Sequence, residues 1–208
     1  MATAATVTRR ASRWQHYPPG TEVKDARPGD FLLTHSRSWT GRLIRFGQRL
    51  RYTGADTKYA RWNHAALFVN EGGDIIEALG SGVQLRNVSV YRETEYHVVY
   101  LQDIFDEDRQ EETTFAYYCL NDKYGYLTDL SLGLSLLTGL KFAFGIDGQM
   151  ICSGLVARSL ERTGEIFEVD TWRAMPADLA KHFHVELKAP VDRGRIPDAS
   201  EQVKARSR

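Results

Sequence analysis

Short apolar runs occupy the middle of the chain, and helical patterns lie on either side of them. Four of these runs predict β-strands, at residues 31–33, 64–69, 74–79 and 96–102. The segment NEGG at residues 70–73 predicts a tight turn, so the second and third strands are expected to form a hairpin.

Helical signals flank these strands. Large apolar side chains at helical spacing predict one amphipathic helix, whose stripe consists of Trp39, Leu43, Phe46 and Leu50. Acidic first turns, a glycine after a last turn and a proline near a first turn mark further helices. These are predicted at residues 106–121, 150–163 and 176–183, with a last strand at residues 184–189. Strands grouped between helices are typical of the α+β class rather than of a regular β-α-β alternation.

The length of 208 residues predicts one domain that needs no disulfide or metal for its stability. Residues 1–21 contain no acidic side chain and carry three arginines among Ala, Thr and Ser, so they are expected to form a flexible N-terminus, with a targeting segment as the alternative. Residues 191–208 are polar and predict a flexible tail. The folded domain is therefore expected to span residues 22–190.

The charge balance and the cysteine number exclude several classes of protein. Lys and Arg total 27, Asp and Glu total 27, and the formal net charge is +0, which disfavours nucleic-acid binding. Two cysteines exclude a disulfide-rich scaffold and a four-cysteine zinc site. The chain shows no secretory signal pattern. We therefore expect a cytoplasmic protein, or one carried by a phage particle or released by lysis. The sequence leaves the oligomeric state open.

Residues 130–146 are the most apolar stretch, with Lys141 as the only charged side chain. A membrane span needs about 20 apolar residues, so this stretch is slightly short, and glycines interrupt it. Three interpretations stay open: a buried segment that covers a site, a surface that contacts lipid or a partner, and a true span.

Cys152 is the first candidate for chemistry, because it lies at the start of the helix predicted at residues 150–163. The helix dipole and the first backbone N–H groups favour a thiolate, the nucleophilic form of the side chain. The same N–H groups could stabilise an oxyanion. The alternative is a small buried apolar residue. Cys119 lies inside a predicted helix, and there we expect packing.

A nucleophilic cysteine needs a histidine, and the histidine needs a group that orients it. His64 begins the predicted hairpin, and Glu77 lies on its second strand. A four-residue loop would put Glu77 opposite Ala66, on the face of His64 and diagonal to it, roughly 7–8 Å away at the backbone. A six-residue loop would put Glu77 directly opposite His64. His97 has no obvious acidic companion in the sequence.

Five stretches, in this order, resemble the permuted NlpC-type papain-like hydrolases, often called YiiX-like. They are RPGDFLLT at residues 27–34, WNHAALF at 62–68, IIEA at 75–78, ICSGLV at 151–156 and, more weakly, PADL at 176–179. The resemblance implies a circularly permuted papain-like fold, in which a small antiparallel sheet packs against the helix that bears the nucleophile, with further helices beside it.

The resemblance also implies roles for single residues. Cys152 is the nucleophile, His64 the general base and later the acid, and Glu77 the group that orients His64. A tyrosine before the cysteine helix often lines such sites, which makes Tyr124 the first candidate and Tyr126 the second. Ser153, next to the nucleophile, is a further candidate for contacting the substrate or the oxyanion. No metal or organic cofactor is required.

The expected activity is hydrolysis of an amide bond, with peptidoglycan peptides as the first choice of substrate. A lipid acyltransferase or esterase is the alternative within the same chemistry, since residues 130–146 could give peripheral lipid contact. A papain-like domain used only as a binding or structural module is the alternative outside it. The expected signature of catalysis is rapid alkylation of Cys152 at a pH where ordinary thiols react slowly.

Overall fold

A computed structural model describes residues 10–35, 39–79, 81–120 and 152–186. Six strands form one sheet, with every neighbouring pair antiparallel and the order β1-β6-β2-β3-β4-β5. The strands are β1 Ser12–Tyr17, β2 Phe31–Thr34, β3 His64–Phe68, β4 Asp74–Leu79, β5 Gly82–Asn87 and β6 Tyr96–Leu101.

Four α-helices accompany the sheet within these ranges: α1 Trp39–Arg51, α2 Asp106–Tyr118, α3 Cys152–Glu161 and α4 Pro176–His182. Helix α3 packs against β3 and β4, and α2 and α4 pack against α3. Leu155, Val156 and Leu160 of α3 are fully buried in the larger apolar core. A smaller core covers the other face of the sheet. The mixed α and β composition with an antiparallel sheet agrees with the predicted class.

The predicted central strands are present, each within one residue of its predicted ends. The prediction of a last strand at 184–189 is wrong for its described part. His184 adopts a left-handed backbone, with φ of 52°. The backbone N–H of Val185 donates to the carbonyl of Ala180. Residues 184–186 thus terminate α4, because this reversal of the chain at His184 closes the helix end.

The predicted flexible N-terminus, residues 1–21, is wrong for residues 12–17. Strand β1 pairs with β6 along its whole length, from Ser12 opposite Leu101 to Tyr17 opposite Tyr96. The strand lies at the edge of the sheet, and most of its side chains are at least partly exposed. Its apolar signal is weak for that reason, although it is fully hydrogen-bonded on one side.

Helix α1 forms where the apolar stripe predicts it, but the stripe faces outward where side chains are described. Phe46 is 51% exposed and Leu50 is 49% exposed, whereas Gln48 is fully buried. The Gln48 amide donates to the carbonyl of Trp62 at 2.5 Å and accepts from the backbone N–H of Ala177 at 2.9 Å. These hydrogen bonds fix the rotation of the helix in place of the apolar stripe.

The turn before β2 is held by the buried carboxylate of Asp30. It accepts hydrogen bonds from the backbone N–H of Arg27 and Leu101, at 2.9 and 3.0 Å, and from the Arg109 guanidinium at 3.2 Å. Gly29 has φ of +88°, and a Cβ there would clash with the carboxylate of Glu112. Only glycine fits this position without strain.

The apolar stretch at 130–146 and the tail at 191–208 lie outside the described ranges. In the described part of the chain, no helix combines the length and the apolar character needed to cross a membrane.

Candidate active site

The hairpin of β3 and β4 brings His64 and Glu77 together. Leu67 pairs with Ile76 and Phe68 with Ile75, which is the register of a four-residue loop. Nε2 of His64 and Oε2 of Glu77 are 2.5 Å apart. The diagonal relation predicted from the sequence therefore places the two side chains in direct hydrogen-bond contact.

Three donors hold the Glu77 carboxylate, which is fully buried. Besides His64, Arg86 donates to Oε1 at 3.0 Å and the Tyr91 hydroxyl donates to Oε2. Arg86 lies on β5, and Tyr91 lies in a short 3-10 helix, Val88–Tyr91. Neither residue follows from the sequence patterns, because neither element is predicted from them. A strand following β4 would put Arg86 diagonal to Glu77, and that spacing was the available signal.

These contacts set the charge state of the pair. Burial alone would lower the pKa of the His64 imidazole, but interactions with Cys152 and Glu77 raise it from 6.5 to about 10. Burial alone would raise the pKa of Glu77, but His64, Tyr91 and Arg86 lower it below its ordinary value. The described geometry therefore favours an imidazolium paired with a carboxylate at neutral pH.

Cys152 is the first residue of α3 and is 4% exposed. Its side chain forms a hydrogen bond with the His64 ring. The thiol therefore lies beside the histidine and at a helix N-terminus, where backbone N–H groups have no partner within the helix. Neither Cys152 nor Cys119 forms a disulfide.

The remaining predicted site residues are Ser153, Tyr124 and Tyr126, and the structure describes only the first of them. The Ser153 side chain is fully buried, and its hydroxyl donates to the carbonyl of Ala174 at 2.6 Å. The hydroxyl is therefore already paired, and the backbone N–H of Ser153 is the group left for an oxyanion; the candidate role of this residue stays a prediction. Tyr124 and Tyr126 lie outside the described residues.

A second buried histidine–glutamate pair lies elsewhere in the molecule. Nε2 of His182 contacts Oε1 of Glu165, and both side chains are almost fully buried. The His182 ring packs against Phe167 and Phe183 in an apolar setting. A buried histidine–carboxylate contact alone therefore does not identify the site. The neighbouring cysteine at a helix start distinguishes His64.

The comparisons with known proteins are sparse. No family model matches the chain. No curated protein matches it. Among solved structures, the chain is similar to the metalloprotein yiiX from Escherichia coli O157:H7, with 17% sequence identity and a TM-score of 0.47. The match covers 66% of this chain and 66% of that protein, so the chain spans just under two thirds of its length.

Proposed function

We propose that this protein is a cysteine hydrolase of the permuted papain-like type, which cleaves an amide bond. The observation that supports this most strongly is the order Cys152, His64, Glu77 in space. A thiol at a helix start interacts with a histidine, and a buried carboxylate binds the other side of that ring. Nucleophile, base and orienting group in this arrangement are typical of thiol hydrolases.

Each residue has a distinct part in the proposed reaction. Nε2 of His64 donates to Glu77, which leaves Nδ1 for the thiol. The Cys152 thiolate attacks the carbonyl carbon, a C–S bond forms, and the π electrons move to the carbonyl oxygen. When the intermediate collapses, the C–N bond breaks and His64 transfers its proton to the leaving amine. A thioester on Cys152 and a free amine are the products of this half-reaction.

Water completes the cycle. His64, now neutral, accepts a proton from a water molecule as its oxygen attacks the thioester carbonyl. Collapse of the second intermediate breaks the C–S bond, releases a carboxylic acid and returns the thiolate beside the imidazolium. The backbone N–H groups at the start of α3, those of Cys152 and Ser153, are the proposed donors to both oxyanions.

Glu77 supports this chemistry without touching the reacting atoms. Its three donors, His64, Arg86 and Tyr91, come from separate elements of the fold, so the carboxylate has little freedom to rotate. A fixed carboxylate holds the His64 ring in one orientation and stabilises its protonated form. Glu77 is therefore a positioning residue in this proposal.

A substrate screen with matched variants tests the proposal. The purified protein is incubated with a panel of peptidoglycan peptides and, separately, with a panel of acyl lipids, and products are identified by mass spectrometry. We expect release of an amine from a peptide, abolished in Cys152→Ala and retained in Cys119→Ala, which removes a thiol of similar burial. Activity that survives in Cys152→Ala would refute the proposal. Turnover of lipids alone would replace the amidase by an acyltransferase or esterase.

A further inference from the structure

Two histidines and a glutamate meet at the edge of the sheet occupied by β1. His16 on β1 pairs directly with His97 on β6, and Glu95 precedes β6. One potential ligand atom from each of the three residues lies within 4.8 Å of the other two. Tetrahedral metal–nitrogen distances of about 2.0–2.1 Å put ligand atoms about 3.3 Å apart, so modest side-chain rotations would close the set.

His97 supplies a second, independent observation. It is 1% exposed, and among the described residues its Nδ1 has no hydrogen-bond partner. The ring packs against Trp14 and Trp62, with ring centroids 5.4 and 4.5 Å away. A buried ring nitrogen without a partner is costly, and a bound metal ion would satisfy it.

The buried ring of His97 is held in place by its contacts with the two tryptophan rings. The other two candidate ligands can move, because the side chain of His16 is 44% exposed and that of Glu95 is 24% exposed. One fixed and two adjustable ligands would suit a site that closes around an ion.

We propose that His16, Glu95 and His97 bind a divalent transition-metal ion, with Zn²⁺ as the best match to two imidazoles and one carboxylate. This ligand set occurs in zinc proteins, where three protein ligands leave a fourth position for water. Hard ions such as Mg²⁺ and Ca²⁺ prefer oxygen ligands and fit this site poorly. The exposure of His16 places the fourth position toward solvent.

Arg61 is the group that an ion must compete with. Its guanidinium donates to Oε1 of Glu95 at 2.6 Å and thereby neutralises the carboxylate. Binding of a cation would use the second carboxylate oxygen or displace this guanidinium, which is one-third exposed and can turn toward water. Breaking or sharing the Arg61–Glu95 ion pair costs free energy, and this cost limits the affinity of the site for a metal ion.

A bound ion would fix the edge strand β1 to the rest of the sheet. Strand β1 bonds only to β6 in the sheet order, and a metal shared by His16 and His97 would join the two strands at their side chains. The three residues of this site are distinct from those of the proposed active site. His97 is next to Leu33, which is next to Ala65, so His64 lies on the opposite face of the sheet. The proposal therefore does not depend on the proposed function.

Zinc titration of the full chain, freed of metal by a chelator, tests the proposal. We expect binding with a micromolar or lower Kd in competition with a fluorescent zinc indicator. The melting temperature should rise by roughly 5–10 °C at a hundredfold excess over Kd. His16→Gln, at an exposed position that leaves the core intact, should weaken binding at least tenfold, and Glu95→Gln should do the same.

Two controls separate this site from other metal-binding residues. His184→Asn removes an exposed histidine elsewhere and should leave the Kd unchanged, as should Cys152→Ser. With Co²⁺ as the probe, d–d bands without a thiolate charge-transfer band would support the assignment. The assignment is overturned by a millimolar Kd, by equal affinity in His16→Gln, or by a charge-transfer band that disappears in Cys152→Ser.

Discussion

Replacing Glu77 by glutamine keeps the size of a fully buried side chain but removes its charge. The carboxylate accepts hydrogen bonds from His64, Arg86 and Tyr91. A glutamine amide accepts hydrogen bonds only through its one oxygen, because its nitrogen is a donor. It therefore cannot replace both carboxylate oxygens and satisfy all three donors. We expect a loss of about 3–5 kcal/mol in the free energy of unfolding, the range for breaking a buried ion pair.

The larger effect should be on the pKa of His64. The difference between 6.5 and about 10 corresponds to about 5 kcal/mol, at about 1.36 kcal/mol per pKa unit. Cys152 and Glu77 both contribute to that difference. A single opposite charge typically accounts for roughly 1–3 pKa units, so Glu77→Gln should lower the pKa of His64 by roughly that amount.

Histidine-selective NMR measures this directly, with His64→Gln used to assign the resonance. In the parent protein the His64 signal should not titrate below about pH 9, whereas in Glu77→Gln its midpoint should be lower. Glu165→Gln is the matched control, because Glu165 pairs with His182 and is equally buried. It should lower stability but leave His64 unchanged. A His64 midpoint near 6.5 in the parent protein, or the same midpoint in Glu77→Gln, would refute the reasoning.

Two further predictions concern stability. Gly29→Ala should lower the free energy of unfolding by about 1–3 kcal/mol in urea denaturation, since it combines a positive φ with a clash against Glu112. Gly20→Ala, with similar φ but open space, should lower it less, and equal losses would rule out the clash. His64, whose pKa is raised to about 10, contributes stability that is complete below about pH 6.5 and lost as the pH rises through about 10. The stability of His64→Gln should vary less over this range, and parallel profiles would contradict the raised pKa.

The central part of the fold follows from local patterns. The alternation around NEGG determines the hairpin register, because a shift by one residue would move Glu77 to the other face of the sheet. The ends of β4 coincide with the predicted ones. The helix that begins at Cys152 follows from its small and apolar residues, which pack closely against β3 and β4.

The features that the sequence did not reveal depend on tertiary contacts. The rotation of α1 is set by three hydrogen bonds of the Gln48 amide to distant backbone groups, which outweigh the apolar stripe. The edge strand β1 has few buried side chains and therefore a weak period of two. The cluster of His16, Glu95 and His97 requires that strand, so no single segment of the sequence shows an acidic neighbour for His97.

The two residues that hold Glu77 besides His64 also depend on tertiary contacts. Arg86 and Tyr91 follow Glu77 by 9 and 14 residues along the chain, and only the turn between β4 and β5 brings them back to it. Charge complementarity alone could not select them from the other basic and aromatic residues. His64 and Glu77, in contrast, are joined by one short loop, so their contact follows from strand geometry.

The most direct test of the central claim is the rate at which iodoacetamide alkylates the two cysteines of the native protein near pH 6. Cys119 and Cys152 are buried to a similar degree, so Cys119 is an internal control for access. Peptide mapping by mass spectrometry should show Cys152 reacting at least roughly tenfold faster, as expected of a thiolate paired with an imidazolium. His64→Gln should abolish that difference. Equal rates for the two cysteines, or an unchanged Cys152 rate in His64→Gln, would contradict the proposed nucleophile.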